Sequence, residues 1–139
     1  MSALAEAERM EREKALMEGQ QRVDMLRETV RIMANRQAVL VGTKRRLQIS
    51  TGELQRLSSD HCVYESVGRV FLRTPVPAFI EKQMEAAERC EAEEKRLMSE
   101  KQRVVEQLQK DEVQLREAAQ QYMAEMSARR QLQQQQQKQ

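Results

Sequence analysis

The chain has 139 residues, and its 24 basic and 22 acidic side chains leave a net charge of only +2. It contains no Trp, two Tyr and two Phe, so the large aromatic side chains that fill the core of a compact globule are missing. Charged residues at 33% against apolar residues at 40%, with four Gly and two Pro, match long helices or a coiled coil. The two signs of charge are mixed along the chain, which argues against a dedicated nucleic-acid surface.

The first segment, residues 1–48, reads as one coiled-coil helix. It has no Pro, and its apolar residues recur every seven positions. Leu16, Val23 and Val30 form one line, continued by Gln37 and Lys44. Leu26, Met33, Leu40 and Leu47 form the other, each three residues after a member of the first. This is a heptad seam with β-branched residues prominent at a and Leu or Met at d, weakened where polar residues take over the a line. Toward the N-terminus only Leu4 and Met10 remain, scattered on a charged helix.

Residues 49–74 differ in kind. Ser50-Thr51-Gly52-Glu53 carries a capping-box pattern, and Leu54 and Leu57 follow three residues apart, which predicts a short separate helix from Ser50 to Leu57. Two β-prone runs come next, Cys62 to Val67 and Arg69 to Arg73, hinged on Gly68. They predict a β-hairpin, with Gly68 as the turn residue needing φ > 0. Which strand face is apolar stays open, because both alternate sets contain apolar residues. A lone hairpin is marginal in water, and its unpaired edges and exposed apolar residues are features monomers avoid. The edges are therefore expected to be satisfied by strands of other subunits in a shared sheet or barrel.

Residues 75–130 read as the second coiled-coil helix. Thr74 is placed as N-cap and Pro75 at the first helical position. Ile80, Ala87, Leu97, Val104, Leu108, Leu115, Ala118 and Tyr122 fall on one a/d pattern, interrupted by Glu94, Lys101 and Asp111. The two helices, about 65–85 Å long at 1.5 Å per residue, suit an antiparallel hairpin. Residues 131–139, almost all Gln, read as a disordered tail. The fold class is thus all-α dominated: a two-helix antiparallel coiled coil with a central β-hairpin expected to join an intersubunit sheet or β-barrel.

No span suits a membrane, since the longest strictly apolar run, Ala38 to Val41, is far short of the roughly 20 residues required. No secretory signal is read at the N-terminus, so Cys62 and Cys90 are expected as reduced thiols in the cytosol or nucleus. Chemistry is hard to find. His61-Cys62 with distant Cys90 lacks zinc-site spacing, and Ser66-Val67-Gly68 has Tyr64 where a nucleophile elbow needs Gly. Lys44-Arg45-Arg46, Arg69 and Arg73 read as solvated charges. No catalytic, cofactor or metal site is assigned, and the chain is read as a non-enzyme.

The order long helix, short helix, strand–Gly–strand, long helix resembles the β class of prefoldin subunits. The residues that carry the resemblance are Val63-Tyr64-Glu65-Ser66-Val67-Gly68-Arg69-Val70-Phe71-Leu72, similar to the family's Tyr-x-x-Val-Gly-Arg-x-Phe hairpin. Thr43-Lys44, Glu53-Leu54 and Glu81-Lys82-Gln83 add weaker support, and the resemblance covers about residues 20–130. The Thr74-Pro75-Val76-Pro77 helix start, the charged N-terminus and the Gln tail depart from the family pattern.

The resemblance implies a hetero-hexamer of α- and β-class subunits, with Val63, Tyr64, Val67, Gly68, Val70, Phe71 and Leu72 in subunit assembly. It implies capture of unfolded actin- or tubulin-like clients at the coiled-coil tips and delivery to the cytosolic chaperonin without ATP. No cofactor, nucleic acid or membrane partner is implied. Leu4, Met10, Met123 and Met126 become the candidate client contacts, because Met side chains adapt to varied partners. The alternative is a structural coiled-coil tether or scaffold subunit, which has no need of an aromatic strand pair.

Overall fold

A computed structural model describes residues 3–138. Four elements follow one another: α1 (Ala3–Gln55), β1 (Cys62–Val67), β2 (Val70–Pro75) and α2 (Val76–Gln137). The chain divides into two compact units, one formed by Met1–Arg31 with Gln102–Gln139 and the other by Ile32–Lys101.

In the first unit the two helices run antiparallel, as the cross-helix pairs show. Arg12 pairs with Glu125, Tyr122 donates a hydrogen bond to Glu13, and Arg27 Nη2 lies 3.1 Å from Glu112 Oε1. Leu16, Val23, Leu26 and Val30 are all buried or half-buried between such pairs, and Val23 is 1% exposed. Gly19 is also buried, on the d line. A Cβ there would stand 3.1 Å from Leu115 Cδ1, so the missing side chain admits Leu115. On α2 the seam passes through Leu108, Leu115 and Tyr122 as expected, but through Ala119 in place of Ala118, which is exposed.

The second unit holds the hairpin and the helix portions beside it. Its seam includes the polar positions. Lys101 Nζ donates to Gln37 Oε1 at 3.4 Å, and Lys44 Nζ lies 3.6 Å from Glu91 Oε1. Leu40 and Val76 are buried. Polar residues at a positions tolerate half-burial here because each finds a partner on the facing helix, and such pairs fix register.

Three boundaries differ from the sequence reading. The short helix expected over Ser50–Leu57 is not separate: α1 runs without a break to Gln55. Thr51 Oγ1 donates to the Leu47 carbonyl at 2.7 Å, so the hydroxyl bonds backward within the helix. Half-buried Thr51 and Leu54 carry the heptad onward. The helix closes with Arg56 N–Glu53 O at 3.2 Å and Leu57 N–Leu54 O at 3.1 Å, the tightened last turn that helix ends commonly show.

The start of α2 is likewise displaced. Thr74 and Pro75 belong to β2, paired with Val63 and Cys62, and helix begins at Val76. Pro75 sits at the strand's end, where a lost N–H matters least. Pro77 falls in the first helical turn, where N–H groups lack intrahelical partners. Finally, the Gln-rich segment is helical to Gln137, consistent with the good helix propensity of Gln and the lack of Gly or Pro.

Candidate functional site

The hairpin is a two-stranded antiparallel sheet with Val67 opposite Val70, which leaves Gly68-Arg69 as a two-residue turn. Gly68 has φ 60°, and no other residue in the described chain has positive φ. Positive φ at the first central position only is the type II′ pattern, whose twist matches that of the flanking strands.

The register settles the faces that the sequence left open. Val63, Glu65, Val67, Val70, Leu72 and Thr74 lie on one face, and Cys62, Tyr64, Ser66, Phe71, Arg73 and Pro75 on the other. At its helix-proximal end the first face is partly covered, with Val63, Glu65 and Thr74 half-buried. Glu65 is the clasp. Its Oε2 accepts from Lys82 Nζ at 3.2 Å and from Thr74 Oγ1 at 3.5 Å. Leu47 and Phe79 line a cavity of about 340 Å³ beside it. The second face is open: Tyr64 is 63% and Phe71 71% exposed. Val67, Val70 and Leu72, toward the turn, are exposed as well. Six of the seven hairpin residues named from sequence therefore lie on one small sheet, on both of its faces, and the seventh, Gly68, lies in its turn. Glu65 and Lys82, 17 residues apart, were not among them; only a carboxylate on an otherwise apolar strand face hinted at a partner.

The four residues named at the helix ends all lie in the first unit. Leu4, Met10 and Met123 are exposed. Met126 is half-buried, in a crevice with Arg9, Tyr122 and Arg129, and so belongs in part to helix packing. The hydrogen bond to Glu13 is the main cause that raises the Tyr122 phenol above its ordinary pKa. Burial adds to this, and Arg9 and Arg129 pull the other way. Sequence reasoning passed over Met17 and Met25, which are as exposed as Met10. Their places off both heptad lines were the available signal.

Other candidate chemistry resolves into structure. His61 Nδ1 and Ser58 Oγ are 2.7 Å apart in the turn before β1. Both cysteines are free thiols, Cys62 exposed and Cys90 half-buried. The basic triplet is divided, with Lys44 in the seam facing Glu91 and Arg46 bonded to Thr43. Among the described residues there is no group of three or more His, Cys, Asp or Glu placed to hold a metal ion. No described helix is long and apolar enough to cross a membrane.

Two long helices that pair antiparallel within each unit, with one short β-hairpin between them in the chain, define a coiled-coil protein of the β-hairpin type. The chain belongs to the prefoldin subunit family, whose description, "Prefoldin subunit", matches residues 6–122. Among solved structures it is similar to the prefoldin β subunit from Thermococcus strain KS-1, with a TM-score of 0.67 and 15% sequence identity. That match covers 75% of this chain and 91% of the other, and the fold is accordingly that of a prefoldin β subunit. No curated protein matches the chain.

Proposed function

We propose that the chain is one subunit of a hetero-hexameric prefoldin co-chaperone, most similar to prefoldin subunit 1. In this reading it assembles with α- and β-class subunits through the hairpin. It holds unfolded actin- or tubulin-like chains on the apolar surface of its first unit and delivers them to the cytosolic chaperonin. It uses neither ATP nor catalysis. The cytosol, with the nucleus as a second site, is the location that goes with this role.

The hairpin carries the reading. A two-stranded sheet with Tyr64 and Phe71 both largely exposed is unstable by itself in water. Strand addition from neighbouring chains would supply both edge hydrogen bonds and cover for the aromatic rings. Gly68-Arg69 followed by Phe71 supports the subunit 1 assignment within the class. At the helix ends, exposed Leu4, Met10 and Met123 offer an adaptable apolar surface. Such contacts bind weakly one at a time and gain strength when several subunits act together.

Native mass spectrometry of the tagged full chain purified from its own cells tests the assembly. A six-chain complex with five similar-sized partners is expected. A homodimer, or a partner set of long filament proteins, removes the chaperone assignment and favours the tether. In the same assay Val70→Asp with Leu72→Asp should abolish the complex while helix content by circular dichroism is kept. Retention of the full complex by that variant sinks the shared-sheet assembly.

A further inference from the structure

The methionines among the described residues differ in exposure, and on α2 Met84, Met98 and Met123 are exposed at 49%, 50% and 68%. Met33 and Met126 are half-buried at the helix packing. Met10, Met17 and Met25 stand on α1 at 65%, 66% and 71% exposure. The last three are seven and eight residues apart. At 3.6 residues per turn they fall within about a quarter-turn of one another. That places them roughly opposite Leu16 and Val23 of the seam. All three lie in the first unit, and none is needed to hold α1 against α2.

Leu would serve as well as Met for helix propensity and for apolarity. What Met adds is a flexible thioether that reacts with oxidants. A peroxide transfers one oxygen to the sulfur: the O–O bond breaks, an S–O bond forms, and the peroxide leaves as water. The product is a polar sulfoxide, which methionine sulfoxide reductases return to the thioether. Rate follows access, so the exposed stripe reacts before the seam.

We propose that Met10, Met17 and Met25 form an oxidisable client-contact stripe, and that sulfoxide formation there reversibly weakens capture of unfolded chains without unfolding the coiled coil. This rests on the chaperone reading above. It extends the client surface to Met17 and Met25, and it makes capture responsive to peroxide-class oxidants. The helix survives because Met33, Met126 and the aliphatic seam are shielded.

The test uses the assembled complex carrying this chain with Cys62→Ser and Cys90→Ser, so that thiol oxidation contributes nothing. It is compared with the same complex carrying Met10→Leu, Met17→Leu and Met25→Leu in addition. Each is treated with hydrogen peroxide and challenged with guanidine-unfolded actin, and capture is read as suppression of light scattering. Capture after peroxide is scored for each complex against its own untreated capture. Peroxide should lower capture by the methionine complex several-fold more than by the leucine complex, with helix content unchanged and capture restored by sulfoxide reductases. Methionines of partner chains, and the exposed Met84, Met98 and Met123 of this chain, are common to both arms and cancel. A third complex with the three residues changed to Gln, a polar mimic of the sulfoxide, should capture poorly without peroxide.

Equal losses in the methionine and leucine arms, or normal capture by the Gln complex, overturn the stripe while leaving the chaperone reading standing. Peptide mass spectrometry showing Met33 oxidised as fast as Met17 overturns the selectivity. Failure of every untreated complex to capture actin sinks the chaperone reading and the switch with it.

Discussion

At the scale of single residues, the glycines separate by what surrounds them. Gly68 must keep φ 60°, so Gly68→Val should cost about 1–2 kcal/mol of hairpin stability, read as lowered recovery of the assembled complex. Gly42 and Gly52 sit in α1, and a methyl added at either would meet nothing within 4 Å. Each change to Ala should stabilise the helix by about 1 kcal/mol, raising the thermal midpoint by circular dichroism. At Gly19 the same change meets a Leu115 methyl, and the gain should be smaller. Val23→Ala removes two methyl groups from a sealed position and should cost about 2 kcal/mol. Tyr122 adds a pH dependence. Its phenol is raised in the folded chain, chiefly by the bond to Glu13. That contribution is complete below the ordinary tyrosine range near pH ~10 and is lost as pH rises through the folded value. The difference in melting between wild type and Tyr122→Phe should therefore be present at pH ~8 and vanish in strongly alkaline solution.

At the scale of elements, the heptad was the legible part. Period-seven apolar spacing named the burial line of α1 from Leu16 to Leu47, and the structure buries or half-buries each of those residues. Local signals served less well. The Ser50 capping box and the Thr74-Pro75 start both describe what a few residues could do alone. Thr51 instead bonds to Leu47, and Thr74 joins the strand ladder opposite Val63, because longer-range packing decides between such near-equal local options. The polar seam positions make a distinct prediction. Replacing Gln37 and Lys101 together by Leu should raise the melting temperature, since a half-buried polar pair gives way to apolar packing. It should also loosen register and promote self-association, which sedimentation velocity would detect. A melting temperature that rises with no change in association would mean that register is set elsewhere.

For the whole molecule, surface charge contributes little to holding the fold. The cross-helix pairs Arg12–Glu125, Arg27–Glu112 and Arg36–Glu93 are all substantially solvent-exposed, and such pairs are weak and salt-screened. Melting in about 1 M NaCl should accordingly stay within a few degrees of melting at low salt. The candidate site was only half legible. Tyr64, Gly68 and Phe71 announced a hairpin through composition, but its faces depend on register, and register depends on which strand residues pair across the turn. The clasp between Glu65 and Lys82 needed the helix and the sheet in one frame. The hairpin has a further consequence in terms of counting. A sheet of two strands has two edges, so an assembly built through this hairpin would use each chain as a divalent link. Divalent links joined end to end can stop only by closing a ring or by meeting a cap with one edge blocked; otherwise they grow without limit. Finite size in any assembly built through this hairpin is therefore a property of the set of chains, fixed by stoichiometry and closure, and no single subunit carries it.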